Sequence, residues 1–202
     1  MKEIYFLVIF FISVGILSPS FEDFTYFFLL NVIGVSKLLF AVLVLIGMFC
    51  QVIGALVYKA WCRQVDTRWM IFWGMVNNVI SAFLSYAFAM RWNLEWGIPD
   101  KVFLFLTDPV LSVLTTMLYV LPLMALFAKV TPSRIEGTIF AFLTGTWNLS
   151  NGVIRPAMGS FINKEFVGVT RNDLSGYSTL MLISLIFTLI VFPLLFLIPN
   201  KR

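Results

Sequence analysis

Six mostly apolar runs separated by short turns decide what this chain can fold into. They cover approximately 3–33, 36–61, 69–90, 102–128, 135–162 and 178–198. Each is long enough to cross the ~30 Å apolar core of a bilayer at ~1.5 Å per helical residue. In lipid every backbone polar group must be satisfied internally, which helices do within one segment. The expectation is an all-α integral membrane protein with six transmembrane helices, residues 1–202 forming a single domain. Charge agrees: 12% of the 202 residues are charged, against about 25% in a soluble domain.

The first run begins like a signal peptide. Met1-Lys2 precedes apolar residues from Ile4 to Leu17, then Ser18-Pro19-Ser20. Apolar character resumes at Phe21 and continues to Ile33, so Glu3 to Ile33 reads as one span kinked at Pro19 rather than a cleaved leader. Glu22 and Asp23 fall just past the kink, where two adjacent acids are hard to place against lipid.

Other polar residues recur at helical spacing. Thr144, Asn148, Asn151 and Arg155 stand at i, i+4, i+7 and i+11 in the fifth run, as do Asp108, Ser112, Thr115 and Tyr119 in the fourth. Each set shares one face of an ideal helix. Asn77, Ser81 and Ser85 share a face of the third run, and the sixth is interrupted only by Ser184, Thr188 and Pro193. A polar stripe ending in an arginine requires protein or a wet cavity beside it. A helix–helix seam joined by small and polar residues is the plainer alternative. Arg155 has two open roles, an anion ligand or the partner of Asp108 or Glu22. Glu136 is a helix-start acid favoured by the dipole.

Several function classes drop out. The chain has no histidine, which removes the zinc-protease helix motif, histidine-ligated haem and Ser-His catalysis. It has no P-loop and no GxGxxG, so no nucleotide cofactor is indicated, and no catalytic constellation marks an enzyme. The net charge of +4 needs no nucleic-acid partner, because basic residues at cytoplasmic helix ends account for it. Cys50 and Cys62 do not specify a disulfide. The one glycosylation sequon, Asn148-Leu149-Ser150, lies inside the fifth run and should be unused.

Charge in the turns sets an expected orientation. With the N-terminus cytoplasmic, that side carries Lys2, Lys59, Arg63, Arg68, Lys129, Arg134, Lys201 and Arg202, and the other carries Lys37, Arg91, Lys101, Lys164 and Arg171. Eight against five favours both termini inside.

Polarity also repeats along the chain. Intramembrane acids occur on runs one and four, and Gln51 and the Thr144–Arg155 stripe on runs two and five. Such a three-plus-three echo is the plan of each half of a major-facilitator transporter. There the first helix of each triplet lines the cavity and the third lies at the periphery, which Asn77 fits less well. Particular residues sharpen this. Pro122, Ala128-Lys129, Pro132, then Ile135 to Ala141 (IEGTIFA) and Asn148-Leu149 resemble the folate-biopterin transporter family, a major-facilitator branch. Pro19-Ser20 followed by an acid, Tyr26-Phe27-Phe28 and Asn31 resemble the first helix of that family's C-terminal half. Ser133-Arg134 stand where the family often has a glycine. Family members have about twelve spans and this chain has six.

The resemblance implies a transporter or half-transporter moving a folate- or pterin-like solute, or another small organic anion, by alternating access. It implies Glu22 or Asp23 for the ring or for proton coupling and Arg155 for an anion, with Asp108, Asn148 and Asn151 in the same cavity or its ion pairs. Expected partners are the lipid bilayer and a second half-transporter, a homodimer or a larger membrane complex. The rival expectation is a non-transporting assembly subunit of such a complex.

Overall fold

The computed structural model describes residues 2–62, 64–132 and 135–198. Arg63, Arg134, Lys201 and Arg202, which carry part of the charge asymmetry, and Ser133 lie outside the described residues. The described chain is helical throughout, joined by short turns. Five helical stretches are long and apolar enough to cross a membrane: α1 (Lys2–Asn31), α2 (Lys37–Cys62), α3 (Thr67–Ala89), α4 (Asp100–Val130) and, last in the chain, α6 (Tyr177–Leu197). Between α4 and α6, α5 runs over 136–167. It matches the others in length but not in apolarity, because Thr144, Thr146, Asn148, Ser150, Asn151 and Arg155 dilute it. The protein is an all-α, multi-pass integral membrane protein; among the described residues five helices, not six, qualify as spans on apolarity.

Helix ends follow local chemistry. Ser36 caps α2 by accepting from the Leu39 N–H at 3.2 Å. Asp66 caps α3, its Oδ1 accepting from the N–H groups of Arg68 at 2.9 Å and Trp69 at 3.1 Å. Such caps satisfy N–H groups that have no partner within the helix. α1 is broken as Pro19 predicts: its first arm, Lys2–Leu17, ends before the proline, and the second, Glu22–Asn31, starts after it.

Packing follows an internal exchange. α2 packs on α4 and α5 on α1; α3 packs on α4 and α6 on α1; α3 and α6 pack on each other. Swapping the first three helices for the last three maps this pattern onto itself, which is the three-plus-three echo in contacts. Two apolar clusters cap the two ends. One joins Ile4, Leu7, Phe10 and Phe11 of α1 to Ile71, Leu126, Phe127 and Val130, and to Ile198 at the end of the last helix. The other joins Phe28 and Leu29 to Val35, Phe88, Phe103, Val169, Tyr177 and Leu180. The described start and end of the chain therefore share one end of the bundle. Burial at this density supplies the main favourable term within each cluster, and polar side chains collect at mid-depth between them.

At the end opposite Lys2, buried asparagines tie the turns. Asn93 donates to the Ile98 carbonyl at 3.1 Å and to Asp100 at 2.8 Å, and Arg91 pairs with Asp100 at 2.9 Å. Asn163 bonds both the carbonyl and the N–H of Val169, at 2.8 and 2.9 Å.

Candidate functional site: a mid-depth cavity at a broken helix

Three helices leave regular α geometry at similar depth. α1 breaks over 18–21, α4 widens to a π turn at Thr116–Val120, and α5 widens at Ser150–Ile154. The last two have a local cause. Pro122 follows the first wide turn and Pro156 the second. Proline lacks the N–H for the helical bond, and its ring collides with the carbonyl four residues back. A turn widened to i+5 bonding makes room for it, and such turns gather at functional sites.

These irregularities surround a cavity of about 650 Å³. α1 and α4 form two of its walls with Ser18 to Glu22, Asp108, Thr115 and Tyr119; α5 adds Ser150, Asn151 and Arg155. α3 and α6 form the floor, contributing Asn78, Ser81, Ser85, Ser184 and Thr188. The third helix of each triplet is therefore not peripheral here, because its small polar residues reach the space between the first helices.

Arg155 is the centre of this arrangement. Its Nε donates to the Ser18 carbonyl at 2.8 Å and its Nη1 to Asn151 Oδ1 at 3.1 Å. The N–H of Ser20 donates to the Arg155 carbonyl at 3.0 Å. Asn151 is itself anchored, donating to the Trp147 carbonyl at 3.1 Å. Ser150 Oγ donates to the Phe11 carbonyl at 2.6 Å. One side chain and one peptide group thus take up backbone groups freed by the break in α1, which lipid could not satisfy. Glycines allow the approach: a Cβ on Gly15 would lie 2.7 Å from Ser150 Oγ, and one on Gly159 would collide with the Ser20 carbonyl. Nε and Nη1 are committed, while Nη2 has no protein hydrogen bond among the described residues. No ion pair joins Arg155 to Asp108 or Glu22.

The predicted site residues do not all converge. Glu22, Asp108, Asn151 and Arg155 line the cavity; Asp23 is exposed and does not. Asn148 lines a separate open groove of about 860 Å³ with Glu136, Gly137, Ala141, Thr144 and Gly145. The stripe drawn on an ideal helix is therefore split. Trp147 and Ser150, beside the stripe on α5, already line the cavity and Asn151 falls with them, while Thr144 and Asn148 face the groove. The wide turn adds about one residue and rotates the helix beyond it by about 100°, which brings Arg155 to the cavity side as well. In α4, Ser112 leaves its stripe toward α2, its Oγ lying 3.9 Å from where Gly47 would carry a Cβ. Asn77 is buried and donates to Thr115 Oγ1 at 2.9 Å, pinning α3 to α4.

Sequence reasoning missed Ser18 and Ser20, which act through their backbones, and Asn78, one position from the face assigned to α3. Thr25 was missed too: it lines the cavity, and its hydroxyl accepts from Tyr177 at 3.0 Å while donating to the Phe21 carbonyl. The prolines at 122 and 156 were the available signal for the rotated faces.

A family model described as the BT1 family matches residues 2–202. The chain belongs to the BT1 family. It is 30% identical over 156 residues to probable folate-biopterin transporter 6 of Arabidopsis thaliana, covering 77% of this chain and 30% of that protein. It is 27% identical over 182 residues to the folate-biopterin transporter of Synechocystis sp., covering 90% of this chain and 36% of that protein. The chain spans about a third of the length of these curated relatives. No solved structure matches. These named relatives are transporters, not enzymes.

Proposed function

We propose that residues 1–202 form one six-helix half, of the C-terminal type, of a folate-biopterin-type transporter. In this reading the cavity between α1 and α4 holds a pteridine-like solute or another small organic anion, and the half works by alternating access against a second half. The observation that carries it is the broken α1 seated on Arg155, with one guanidinium nitrogen left for a ligand. Transporter sites form where discontinuous helices meet at mid-membrane. A guanidinium suits a carboxylate, and adjacent N–H donors of a pterin ring suit a carboxylate acceptor. Glu22 and Asp108 are the carboxylates at the cavity, so the ring or proton-coupling role falls to Glu22 rather than Asp23. The relatives' printed names favour this solute class.

The second half is part of the proposal. Exposed polar residues such as Asp108 and Asn148 are costly against lipid, by about 2.5–3.5 kcal/mol for a mid-membrane charge on the lower scales. The test is reconstitution in liposomes of the chain alone and co-expressed with a six-span N-terminal half, with uptake of labelled folate and biopterin and mass measurement in detergent. Uptake is expected only with the second half. Arg155→Lys, which keeps the charge but loses the fork, should lower it roughly tenfold, and Asp23→Asn should leave it near wild type. Transport by the isolated monomer would refute the partnership, and no uptake by either preparation would refute the solute assignment.

A further inference from the structure

We propose that the end of the bundle carrying Lys59, Arg68 and Lys129 is a docking surface for the headgroups of anionic phospholipids. α2 ends in a π turn, Tyr58–Cys62, that leaves Lys59 exposed beside Trp61, itself 80% exposed. Lys129, at the end of α4, is exposed and donates through Nζ to Thr67 Oγ1 at 3.2 Å. That bond places it against the start of α3, next to Arg68 and Trp69. Trp69 stacks on Phe72 at 5.4 Å and meets Trp73 edge-on at 5.8 Å, and both indoles remain about half exposed. Asp66 is the acid of this turn, and its Oδ1 is engaged by the N–H groups of Arg68 and Trp69. Among the described residues no ion pair engages Lys59, Arg68 or Lys129.

The opposite end is built differently. There Arg91 pairs with Asp100 at 2.9 Å, and the Arg171 guanidinium lies 5.0 Å above the Phe27 ring. Arg91 and Arg171 are thus engaged within the protein, while Lys37, Lys101 and Lys164 there are exposed without an ion pair among the described residues. The Lys59 end differs in setting Lys59, Arg68 and Lys129 beside three exposed indoles, those of Trp61, Trp69 and Trp73. Indoles settle at headgroup depth in a bilayer, and basic clusters at helix ends attract anionic headgroups. A phosphodiester with its chains alongside satisfies both features; free phosphate would leave Trp61 and Trp73 uncovered. The proposal stands apart from the transport reading and from which leaflet meets this end.

The test puts the full chain in nanodiscs of phosphatidylcholine containing a fixed fraction of acyl-brominated phosphatidylglycerol or acyl-brominated phosphatidylcholine. Tryptophan quenching by the brominated anionic lipid should exceed that by the zwitterionic one about twofold and fall as salt rises. Lys59→Gln with Arg68→Gln should remove the excess while the helical circular dichroism stays unchanged; Lys129 is left intact so that its bond to Thr67 survives. Equal quenching by both lipids, or an excess that persists in the double variant, overturns the proposal. Should the double variant fail to fold, an excess in the wild-type chain that is insensitive to salt overturns it equally.

Discussion

α2 and α5 occupy corresponding places in the two triplets, α2 against α4 and α5 against α1, and each turns a glycine inward, but only α5 adds glycines on its outward face. Gly54 of α2 faces inward: a Cβ there would lie 2.8 Å from the Val113 carbonyl and 3.1 Å from Thr116 Cβ. The outward face of α2 is bulky and apolar, with Leu38 77% and Phe49 70% exposed, as suits acyl chains. α5 turns Gly159 inward against Ser20, but Gly137, Gly145 and Gly152 face open space. Gly137 and Gly145 line an open groove with Glu136, Thr144 and Asn148. A face of small and polar residues lets another helix approach closely and offers little to lipid tails. Corresponding helices thus carry unlike surfaces: α2 exposes bulky apolar residues, whereas α5, although Phe142, Val153 and Phe161 are exposed on it too, carries beside Phe140 a groove of small and polar residues suited to protein.

The largest expected effect tests the inward use of glycine on α5. Gly159→Val drives a side chain into the Ser20 carbonyl. Overpacking costs about 1–3 kcal/mol where side chains can give way, and here the obstacle is backbone at the break in α1. The melting temperature of the purified chain in detergent should collapse, and the loss should reach or pass the upper end of that range. A melt within a degree or two of wild type would mean that α1 does not seat on α5 as described.

Gly54→Ala comes next. The added methyl meets the Val113 carbonyl at 2.8 Å and Thr116 Cβ at 3.1 Å, a smaller overlap than the one at Gly159. The expected loss is about 1–3 kcal/mol, read in the same melt. If Gly54→Ala were neutral while Gly159→Val were severe, tight inward packing would belong to α5 alone, and the contrast drawn between the flanks would need redrawing.

What the sequence made legible divides along the same line. Helix positions were readable because lipid demands long apolar runs, and α2, α3, α4 and α6 lie within two residues or so of their expected ends. The break at Pro19 was readable because proline removes a helical bond whatever surrounds it. The shared face of Thr144, Asn148, Asn151 and Arg155 was not: the boundary between groove and cavity runs between Asn148 and Asn151, and an ideal periodicity takes no account of the wide turn at Ser150–Ile154 that rotates Arg155. The partners of Arg155 were beyond reach too. Sequence pattern weighed carboxylates, whereas the structure supplies the Ser18 carbonyl and an asparagine four residues earlier. The polarity that makes α5 interesting is also what keeps it from qualifying as a membrane span on apolarity.

Gly145→Ala is the smallest effect and the most direct test of the outward glycines. Nothing lies within 4 Å of a Cβ at that position, and alanine favours a helix over glycine by about 0.8–1 kcal/mol. In the isolated chain the substitution should therefore leave the melt unchanged or raise it slightly. A face meant for lipid would show that and nothing more. A face meant for a close helix should show a second result: once the chain is co-expressed with a second half, the methyl holds the helices apart, and recovery of the complex on size-exclusion chromatography should fall. Gly137→Ala should behave as Gly145→Ala does, because both line the groove, while Leu38→Ala on the outward face of α2 should leave recovery unchanged. If all three variants recover the complex as wild type does, the α5 groove is not the seam, and its difference from α2 reflects something other than a helical neighbour.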